Sequence, residues 1–438
     1  MTNIVLVPKE KPEISSRDNI RSSMEVGGSI TSDEFWNADT VKVIADVIID
    51  NGVTVNIAAG TKIEFQDYYK IDVKGTILAY GDADNRINFI SSHPEFFMLD
   101  YNEIGAWNGL KFNAVSNQNE RSVLEYCIFE YSKSFEEKGG VLNIINTSKL
   151  AVVNCIFRNN IADFGSAISC EYNSAPQIVG NLFENNSAFI SGSPIYCSYS
   201  YPRISNNTIV SNQVINEEVF HETAAIHTFI SKPQLANNII WNNVTNFYDP
   251  QQLMNCKSYY TTYNDIEFGH EGKGNINSDP IFSGSGEYFY SLEANSPCVD
   301  AGSFEFPFGT VLSEFDLAGN TRVINDSIDM GALEWSEVGV EDSDIFKSIF
   351  TLINYPNPFN PSTTISFNLA AVSNVSLAVY NVRGQKVIQL MNELLSIGQH
   401  SVEWNGKDST NKSVASGIYY YKISSGKDSA INKMLLLK

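Results

Sequence analysis

Basic side chains are scarce in this chain, and their scarcity argues against two classes of partner. The 438 residues carry 29 Lys and Arg against 50 Asp and Glu, which gives a net charge of −21. Proteins that bind nucleic acid or anionic membranes usually carry the opposite excess of charge. We therefore expect neither nucleic acid nor an anionic lipid surface to be the partner.

Long hydrophobic runs are also missing. No stretch approaches the roughly 20 apolar residues of a membrane-spanning helix, so we predict no transmembrane segment. Residues 1–25 are polar, and the apolar stretch at residues 4–7 is too short for the core of a signal peptide. We interpret residues 1–25 as a polar N-terminal segment.

Several common catalytic and metal-binding motifs are absent. The six cysteines form no CxxC pair and no Cys/His spacing typical of zinc sites. The chain contains no phosphate-binding loop, no HExxH motif and no Ser/His/Asp order typical of hydrolases. Acidic residues are numerous, but nothing in the pattern places two of them at the spacing of a glycosidase. We assign no cofactor, and leave calcium open.

The most informative feature is a repeat in residues 123–243. In each copy an apolar residue is followed three positions later by Cys or Asn, five later by an apolar residue and eight later usually by Asn. The copies begin about 26 to 31 residues apart, a spacing typical of solenoids, at Leu124, Val152, Ile178, Ile204 and Leu235. Each copy is too short to bury a core of its own, so the copies must stack.

The apolar offsets within each copy are those of short strands rather than of a helix. Stacked parallel strands lie roughly 4.8 Å apart, so like residues form continuous columns. Asparagine suits the bends because it tolerates left-handed backbone, and stacked asparagines can bond to one another. The pattern resembles the right-handed parallel β-helix of the pectate-lyase-like superfamily. The resemblance implies an all-β solenoid over residues 26–336, but no single activity, because the fold hosts lyases, hydrolases, epimerases and adhesins.

A second strand follows each copy, and its alternation predicts which side chains point outward. We expect the inward side chains to be Leu142, Ile168, Ile195 and Ile226, with Ile144, Cys170, Cys197 and Thr228 two positions on, and the outward ones to be Asn143, Ser169, Tyr196 and His227. In this register Cys127 stacks on Cys155 and Cys170 on Cys197. Their Cβ atoms would be wider apart than the roughly 3.8 Å that a disulfide prefers, which favours buried thiols over the alternative of disulfides.

Residues 255–336 depart from the repeat. Their order of motifs resembles the closing segment of secreted bacterial β-helix proteins, and we expect this segment to cap the open end of the solenoid. Four acids in it could supply oxygen ligands to calcium, or could serve as turn and cap acids: Asp300, Asp316, Asp326 and Asp329.

Residues 337–351 are an acidic linker, and residues 352–438 contain about seven short strand-like runs, typical of an immunoglobulin-like β-sandwich. This unit resembles the C-terminal sorting domain (type A) of the type IX secretion system. The matching positions include Pro356, Asn357, Pro358, Gly384, Gly417, Tyr419 and Lys433. The resemblance implies export by the type IX machinery to the outer-membrane surface of a Gram-negative cell or to the medium. A plain sandwich appendage is the alternative.

Two outward columns of the solenoid could carry chemistry. Arg158 stands between two carboxylates, so it could be a catalytic cation or part of a charge ladder between coils. Glu171 and His227 could move protons, or could be ordinary surface residues. Three tyrosines could stack on sugar rings or simply cover the coils: Tyr196, Tyr199 and Tyr201.

These observations predict a secreted, monomeric, two-domain protein. The leading hypothesis is a non-catalytic scaffold that binds extracellular polysaccharide or another surface. The alternative is a polysaccharide lyase or glycoside hydrolase. An enzyme needs an acid, a base and a cation in one cleft, whereas a binding protein needs only aromatic and polar groups.

Overall fold

The computed structural model describes residues 5–6, 21–215, 225–244, 251–284, 288–305, 311–336, 352–355, 359–369, 373–381, 385–395, 398–425 and 428–437. The chain divides into two compact units, residues 1–281 with 292–336 and residues 282–291 with 337–438. The predicted linker, residues 337–351, lies outside the described residues. These ranges contain two short 3-10 helices, Pro94–Phe96 and Ser258–Tyr260. No helix in the described ranges is long and apolar enough to cross a membrane.

The first unit is a stack of coils whose strands pair with the equivalent strands above and below, forming parallel ladders along the stack. The first ladder contains nine described strands. They are Glu34–Trp36, Thr54–Ile57, Thr76–Tyr80, Ser122–Glu125, Leu150–Val153, Gln177–Val179, Arg203–Ser205, Gln234–Ala236 and Thr261–Thr262.

The second and third ladders share their first two strands, Arg21–Ile30 and Ala38–Ile49. The second ladder continues with Lys62–Phe65, Ile87–Ser91, Cys127–Glu130, Ile156–Arg158, Leu182–Glu184, Thr208–Val210, Ile239–Trp241 and Asp265–Ile266. The third continues with Ile71–Val73, Leu110–Asn113, Leu142–Ile145, Ile168–Glu171, Ile195–Ser198, Ile226–Phe229 and Leu253–Met254.

A short fourth ladder lies between the second and the third along the chain. Its strands are Lys133–Lys138, Ile161–Phe164, Ser187–Ser191 and Gln213–Val214. A separate parallel pair joins Val5–Leu6 to Val311–Leu312. The parallel β-helix is thus confirmed, and its register is the one that the repeat predicts: Leu124 pairs with Val152, and Phe129 pairs with Phe157.

The core is built from the inward columns of the three long ladders. Phe129, Phe157 and Phe183 stack with ring centroids 4.8 Å apart, which is the spacing of adjacent coils. Ile209 and Ile240 continue the same column. The predicted inward residues Ile168 and Cys170 are fully buried, as are their equivalents in the neighbouring coils.

The repeat asparagines form two buried ladders of hydrogen bonds along the stack. In the first, the side-chain amide of each asparagine donates to Oδ1 of the next over 2.8–2.9 Å, through Asn181, Asn207, Asn238 and Asn264. The second runs in the same way through Asn160, Asn186, Asn212 and Asn243. The left-handed backbone that we predicted for these asparagines belongs instead to the residue before each, such as Asn206 (φ 52°) and Asn185 (φ 53°).

Residues 298–305 and 311–334, which we call the strap, belong to the segment 255–336 that we expected to cap the open end, but they lie along the side of the stack. They run along the first corner, where the first ladder turns into the second. Coil residues that bond to the strap are Arg86, Tyr126, Asn154, Asn206, Asn237 and Asp265. Because these residues belong to successive coils, the strap ties the solenoid together lengthwise. The repeat pattern could not show this, since it describes contacts between neighbouring coils only.

The strap has a buried ion pair of its own. Arg322 Nη1 lies 2.8 Å from Glu334 Oε1, and both side chains are almost fully inaccessible to solvent. Burial raises the pKa of Glu334 to about 7, although the positive charge of Arg322 opposes this shift. Arg322 also donates to the carbonyl oxygens of Gly331 and Ala332. The pair therefore fixes the path of the strap over the middle coils.

All six cysteines are free, and five of them are buried. The predicted stacking is present, with Cys127 beside Cys155 and Cys170 beside Cys197. Burial and the neighbouring Cys155 thiol hold the pKa of Cys127 well above its ordinary value. The stacked cysteines therefore act as small core residues.

The second unit contains two antiparallel sheets of three and four strands. The first sheet is formed by Leu352–Tyr355, Thr363–Leu369 and Gly398–Trp404. The second is formed by Ser373–Asn381, Lys386–Leu395, Gly417–Ser425 and Asp428–Leu436. Phe367 and Trp404 from one sheet pack in a common core with Val379 and Tyr421 from the other, which confirms the predicted β-sandwich.

Candidate functional site

The outward face of the third ladder is covered, although we expected it to be exposed. Tyr196 keeps only 7% of its surface exposed, and its ring lies 5.0 Å from that of Phe164 in the fourth ladder. His227 is also buried, and its Nδ1 lies 2.9 Å from Ser191 Oγ in the same ladder. The strand alternation correctly gave the direction of these side chains, but it carries no information on which segment covers them.

Glu171 belongs to the same buried cluster. Its Oε2 accepts a hydrogen bond from Lys138 Nζ over 3.0 Å, and its Oε1 accepts one from Ser169 Oγ over 3.1 Å. Burial works against the charge of Lys138, but the bond to Glu171 prevails and raises the pKa of this lysine above its ordinary value. Lys138 Nζ also lies 4.9 Å from the centroid of the Tyr196 ring. The carboxylate is therefore engaged in an ion pair beneath the fourth ladder.

Arg158 bridges two carboxylates of the second ladder. Its Nε lies 2.7 Å from Glu130 Oε1, and its Nη1 lies 3.8 Å from Glu184 Oε1. Burial opposes the positive charge, but the two carboxylates together raise the pKa of Arg158 above its already high value. A general base needs the opposite shift, toward neutral pH. The geometry is that of a charge ladder across three coils.

The third corner, where the third ladder turns into the first, carries a line of exposed aromatic side chains. Tyr172, Tyr199, Tyr201 and Phe229 are 54%, 42%, 46% and 46% exposed, and we call them the aromatic strip. The rings of Tyr172 and Tyr199 are parallel with centroids 6.1 Å apart. Phe229 stands edge-on to Tyr199 with centroids 5.5 Å apart. The strip thus crosses three successive coils.

The backbone at this corner is unusual for the residue types it contains. The left-handed position is occupied by Asn146 in one coil, but by Tyr172 (φ 45°), Tyr199 (φ 49°) and Ile230 (φ 48°) in the next three. Asparagine enters this region readily, whereas bulky and β-branched residues do so at a cost. Strained backbone of this kind is concentrated at functional sites. Two members of the strip, Tyr172 and Tyr199, therefore occupy positions where asparagine would satisfy the fold with less backbone strain.

The acids considered as calcium ligands bond mainly to the chain itself. Asp316 Oδ1 accepts hydrogen bonds from the main-chain N–H groups of Ala318 and Asn320. The two oxygens of Asp329 accept from the N–H groups of Asp300 and Trp335. The side chains of Asp300 and Asp326 are exposed. Within the described ranges, no group of three or more His, Cys, Asp or Glu is arranged to hold a metal ion. This geometry favours the reading of turn and cap acids.

Three of the residues that carry the sorting resemblance are described in the structure. Gly417 (φ 147°) opens the strand Gly417–Ser425, and the hydroxyl of Tyr419 donates to the carbonyl oxygen of Ala415 over 2.8 Å. Lys433 lies in the strand Asp428–Leu436, where it pairs with Tyr420. The remaining four lie outside the described residues: Pro356, Asn357, Pro358 and Gly384.

Comparison with known families decides the nature of this unit. Residues 354–437 match the model of a secretion system C-terminal sorting domain. These residues form a type IX secretion sorting domain. The sorting domain implies interaction with the secretion machinery and export to the cell surface or the extracellular space.

Two solved structures show local similarity to the chain. One is the dimeric latent PorU from Porphyromonas gingivalis, with 18% identity and a TM-score of 0.19, over 22% of this chain and 10% of that one. The other is PorZ, a surface component of the type IX secretion system of the same organism, with 22% identity and a TM-score of 0.16, over 20% and 12%. No curated protein matches the chain.

The glycan-binding residues proposed from the sequence omit Tyr172 and Phe229 of the aromatic strip and include Tyr196, which lies outside it. Tyr172 was not singled out, although it follows Glu171 just as Tyr199 follows Ser198 in the aligned repeat. The equivalence of Tyr172 and Tyr199 in the aligned repeats could have identified Tyr172 as a candidate. Tyr196 was grouped with Tyr199 by its closeness in sequence. Tyr196 lies within the strand Ile195–Ser198, whereas Tyr199 lies after the bend that ends it, so their side chains are on different surfaces. Strand alternation predicts this difference only when the position of the bend is known.

Proposed function

We propose that this protein is a non-catalytic, monomeric scaffold, exported to the outer-membrane surface of a Gram-negative bacterium or released, that binds an extracellular glycan at the aromatic strip. The observation that carries the proposal is the exposed, partly stacked set of Tyr172, Tyr199 and Phe229 across successive coils. The apolar C–H faces of sugar rings pack well on aromatic planes, and tyrosine hydroxyls add hydrogen bonds at the rim.

The arrangement of the strip suits a chain-like ligand better than a compact one. Its members stand on successive coils, so binding area increases along the stack rather than in one pocket. The candidate acid, base and cation of the alternative enzyme hypothesis do not share a cleft: Glu171 and His227 lie under the fourth ladder, and Arg158 lies on the second. This separation supports binding without turnover.

A single panel experiment tests the proposal. The full chain is incubated with neutral and acidic polysaccharides, with and without calcium, while binding, new reducing ends and unsaturated products are measured. We expect binding to at least one polymer without new ends. Replacing Tyr172 and Tyr199 together by Ala should weaken that binding by at least about tenfold, a loss of roughly 1.4 kcal/mol.

The matched control is Phe35→Ala, which removes a comparably exposed aromatic ring from the first ladder. It should leave binding unchanged. Accumulation of new reducing ends would favour the enzyme alternative. Equal losses of affinity in the double tyrosine variant and in Phe35→Ala would show that the strip has no special role in binding. Deleting residues 354–438 tests export separately, because the truncated protein should remain inside the cell envelope; its normal appearance at the surface would contradict this part.

A further inference from the structure

The third corner has a local charge opposite to that of the whole protein. Its six connectors from residue 114 to residue 260 contain four basic residues and one acid, Glu120, whereas the full chain has an excess of acids. The basic residues are Arg121, Lys149, Lys232 and Lys257. A basic patch on a protein of net charge −21 stands out against its surroundings.

The register of the coils places these charges beside the aromatic strip. Ser122 pairs with Leu150, so the residues before them, Arg121 and Lys149, occupy equivalent positions in adjacent coils. Arg203 pairs with Gln234, so Tyr201 and Lys232, two positions earlier, are also equivalent. The strip residue Tyr201 therefore neighbours Lys232 along the stack, and the two features form one surface.

A second sign of crowded positive charge comes from Arg203, at the end of the same corner. Its side chain is half-buried, and burial together with the nearby charge of Arg121 lowers the pKa of Arg203. Like charges brought close together repel one another unless a negative group lies between them. The positive charges of Arg121 and Arg203 therefore act on one another at this corner.

The exposed bases of this corner are not used in ion pairs within the described ranges. Elsewhere on the solenoid, basic side chains meet carboxylates, as Lys62 does with Glu64 and Lys273 with Glu305. Arg121, Lys232 and Lys257 are exposed, and none of them lies within ion-pair distance of a described carboxylate. They remain available to a ligand.

We infer that the glycan bound at the third corner is a polyanion, held by direct ion pairs from Arg121, Lys232 and Lys257 while its sugar rings stack on the aromatic strip. The inference rests on the proposed function and specifies its ligand. Guanidinium and ammonium groups bind carboxylate, sulfate and phosphate without a bridging metal. The negative charge of the rest of the solenoid then disfavours binding of a polyanion elsewhere on that unit.

Two probes with the same backbone test the inference: dextran sulfate and uncharged dextran. We expect the full chain to bind dextran sulfate at least about tenfold more tightly than dextran at low salt, and the difference to shrink between ~0.05 M and ~0.5 M NaCl. Because no metal bridge is involved, a calcium chelator should not change this preference.

Variants connect the preference to the corner. The double variant K232Q/K257Q should lower affinity for dextran sulfate at least about tenfold and leave affinity for dextran unchanged. The control K42Q/K62Q removes the same total charge from the second ladder and should change neither. Equal losses in the two double variants, or equal binding of the two probes, would overturn the inference.

The same measurements distinguish a failure of the polyanion inference from a failure of the proposed glycan-binding function. If a neutral polymer binds and needs Tyr172 and Tyr199, but charge adds nothing, the aromatic strip is a glycan site and the polyanion inference is wrong. If dextran sulfate binds equally well to the strip variant Y172A/Y199A, stacking is absent and both statements are wrong, because the ligand is then held by charge alone.

Discussion

The side-chain amide of Asn186 donates a hydrogen bond to Oδ1 of Asn212 in the next coil, 2.9 Å away. The same Oδ1 atom also accepts the backbone N–H of Asn186 over 3.0 Å. Each asparagine of the ladder therefore satisfies polar groups in the coils on both sides. A slip of one residue would leave all of these buried groups without partners, so the ladder sets the register of the stack.

Breaking this ladder should destabilise the solenoid. Asn212→Ala removes the acceptor of two bonds from Asn186 and the donor that meets the carbonyl oxygen of Phe183. Buried groups left without partners cost about 1–3 kcal/mol each, so we expect a loss of about 3 kcal/mol in the free energy of unfolding, measured by chemical denaturation. Asn113→Ala, at the exposed end of a strand, should cost less than about 0.5 kcal/mol. Similar losses at both sites would contradict the role of the ladder.

The repeat in the sequence was enough to predict the solenoid, its register and its inward columns. Columns such as Phe129, Phe157 and Phe183 are set by contacts between neighbouring coils, and those contacts recur at a fixed spacing. The strap and the cover over Tyr196 were not predictable in this way. The strap depends on single long-range contacts, such as the bond from Asn206 to the carbonyl of Asp329, which occur once and leave no period in the sequence. The cover over Tyr196 is the fourth ladder, whose register shifts between coils, so its strands do not align at a fixed spacing.

The site was only partly predictable for a related reason. Tyr199 and Tyr201 were proposed from residue type, and both are exposed. The basic character of the third corner was hidden because net charge averages over all surfaces, and Arg121 and Lys257 are far apart in sequence. Only the stacked register shows that such residues share one corner with the strip.

The close approach of Asn154 from the neighbouring coil makes Gly180 sensitive to substitution. A Cβ atom at Gly180 (φ 68°) would lie 2.2 Å from Asn154 Oδ1 and 3.3 Å from Arg322 Nη2. We expect Gly180→Ala to lower the free energy of unfolding by about 3 kcal/mol, through left-handed strain and the clash together.

Gly52 is the matched control for this substitution. It has a similar backbone (φ 82°), but a Cβ atom there would meet nothing within 4 Å. Gly52→Ala should therefore show the conformational cost alone, about 1 kcal/mol. If the two variants lose the same stability in chemical denaturation, the side chain of Asn154 does not lie against Gly180 in solution.

Asp265 should give the protein a measurable pH dependence. Burial raises the pKa of Asp265 to about 6, although hydrogen bonds from the Ser278 N–H and the Cys298 thiol oppose the shift. Because the folded-state pKa lies above the unfolded one, the folded state favours the protonated acid. Its contribution to stability is present at low pH and is lost as the pH rises through about 6.

The neutral variant Asp265→Asn isolates this group. Near pH 4 it should match the original protein, and near pH 7.5 it should be more stable by about 3 kcal/mol, since the rise of the Asp265 pKa to about 6 spans about two units of roughly 1.4 kcal/mol each. The buried Glu334 also has a raised pKa, but it is present in both proteins and cancels in the difference. A variant that is less stable than the original at the higher pH would show that Asp265 is needed in its charged form.

Tyr199→Asn separates a functional role of the aromatic strip from a structural one. Asparagine suits the left-handed backbone at this position, where tyrosine costs about 1–2 kcal/mol, so the substitution removes backbone strain. It also removes the ring contacts with Tyr172 and Phe229, and this loss offsets about 1 kcal/mol of the stability gained. We expect stability within about 1 kcal/mol of the original and glycan affinity at least about tenfold lower. Tyr199→Phe, which keeps the ring, should retain most of the affinity. If the ring of Tyr199 only covers the coil, Tyr199→Asn should clearly lower the free energy of unfolding and leave glycan affinity unchanged. Tyr199 is thus a direct test, because a tyrosine retained for a ligand and a tyrosine retained for packing give opposite results in the two measurements.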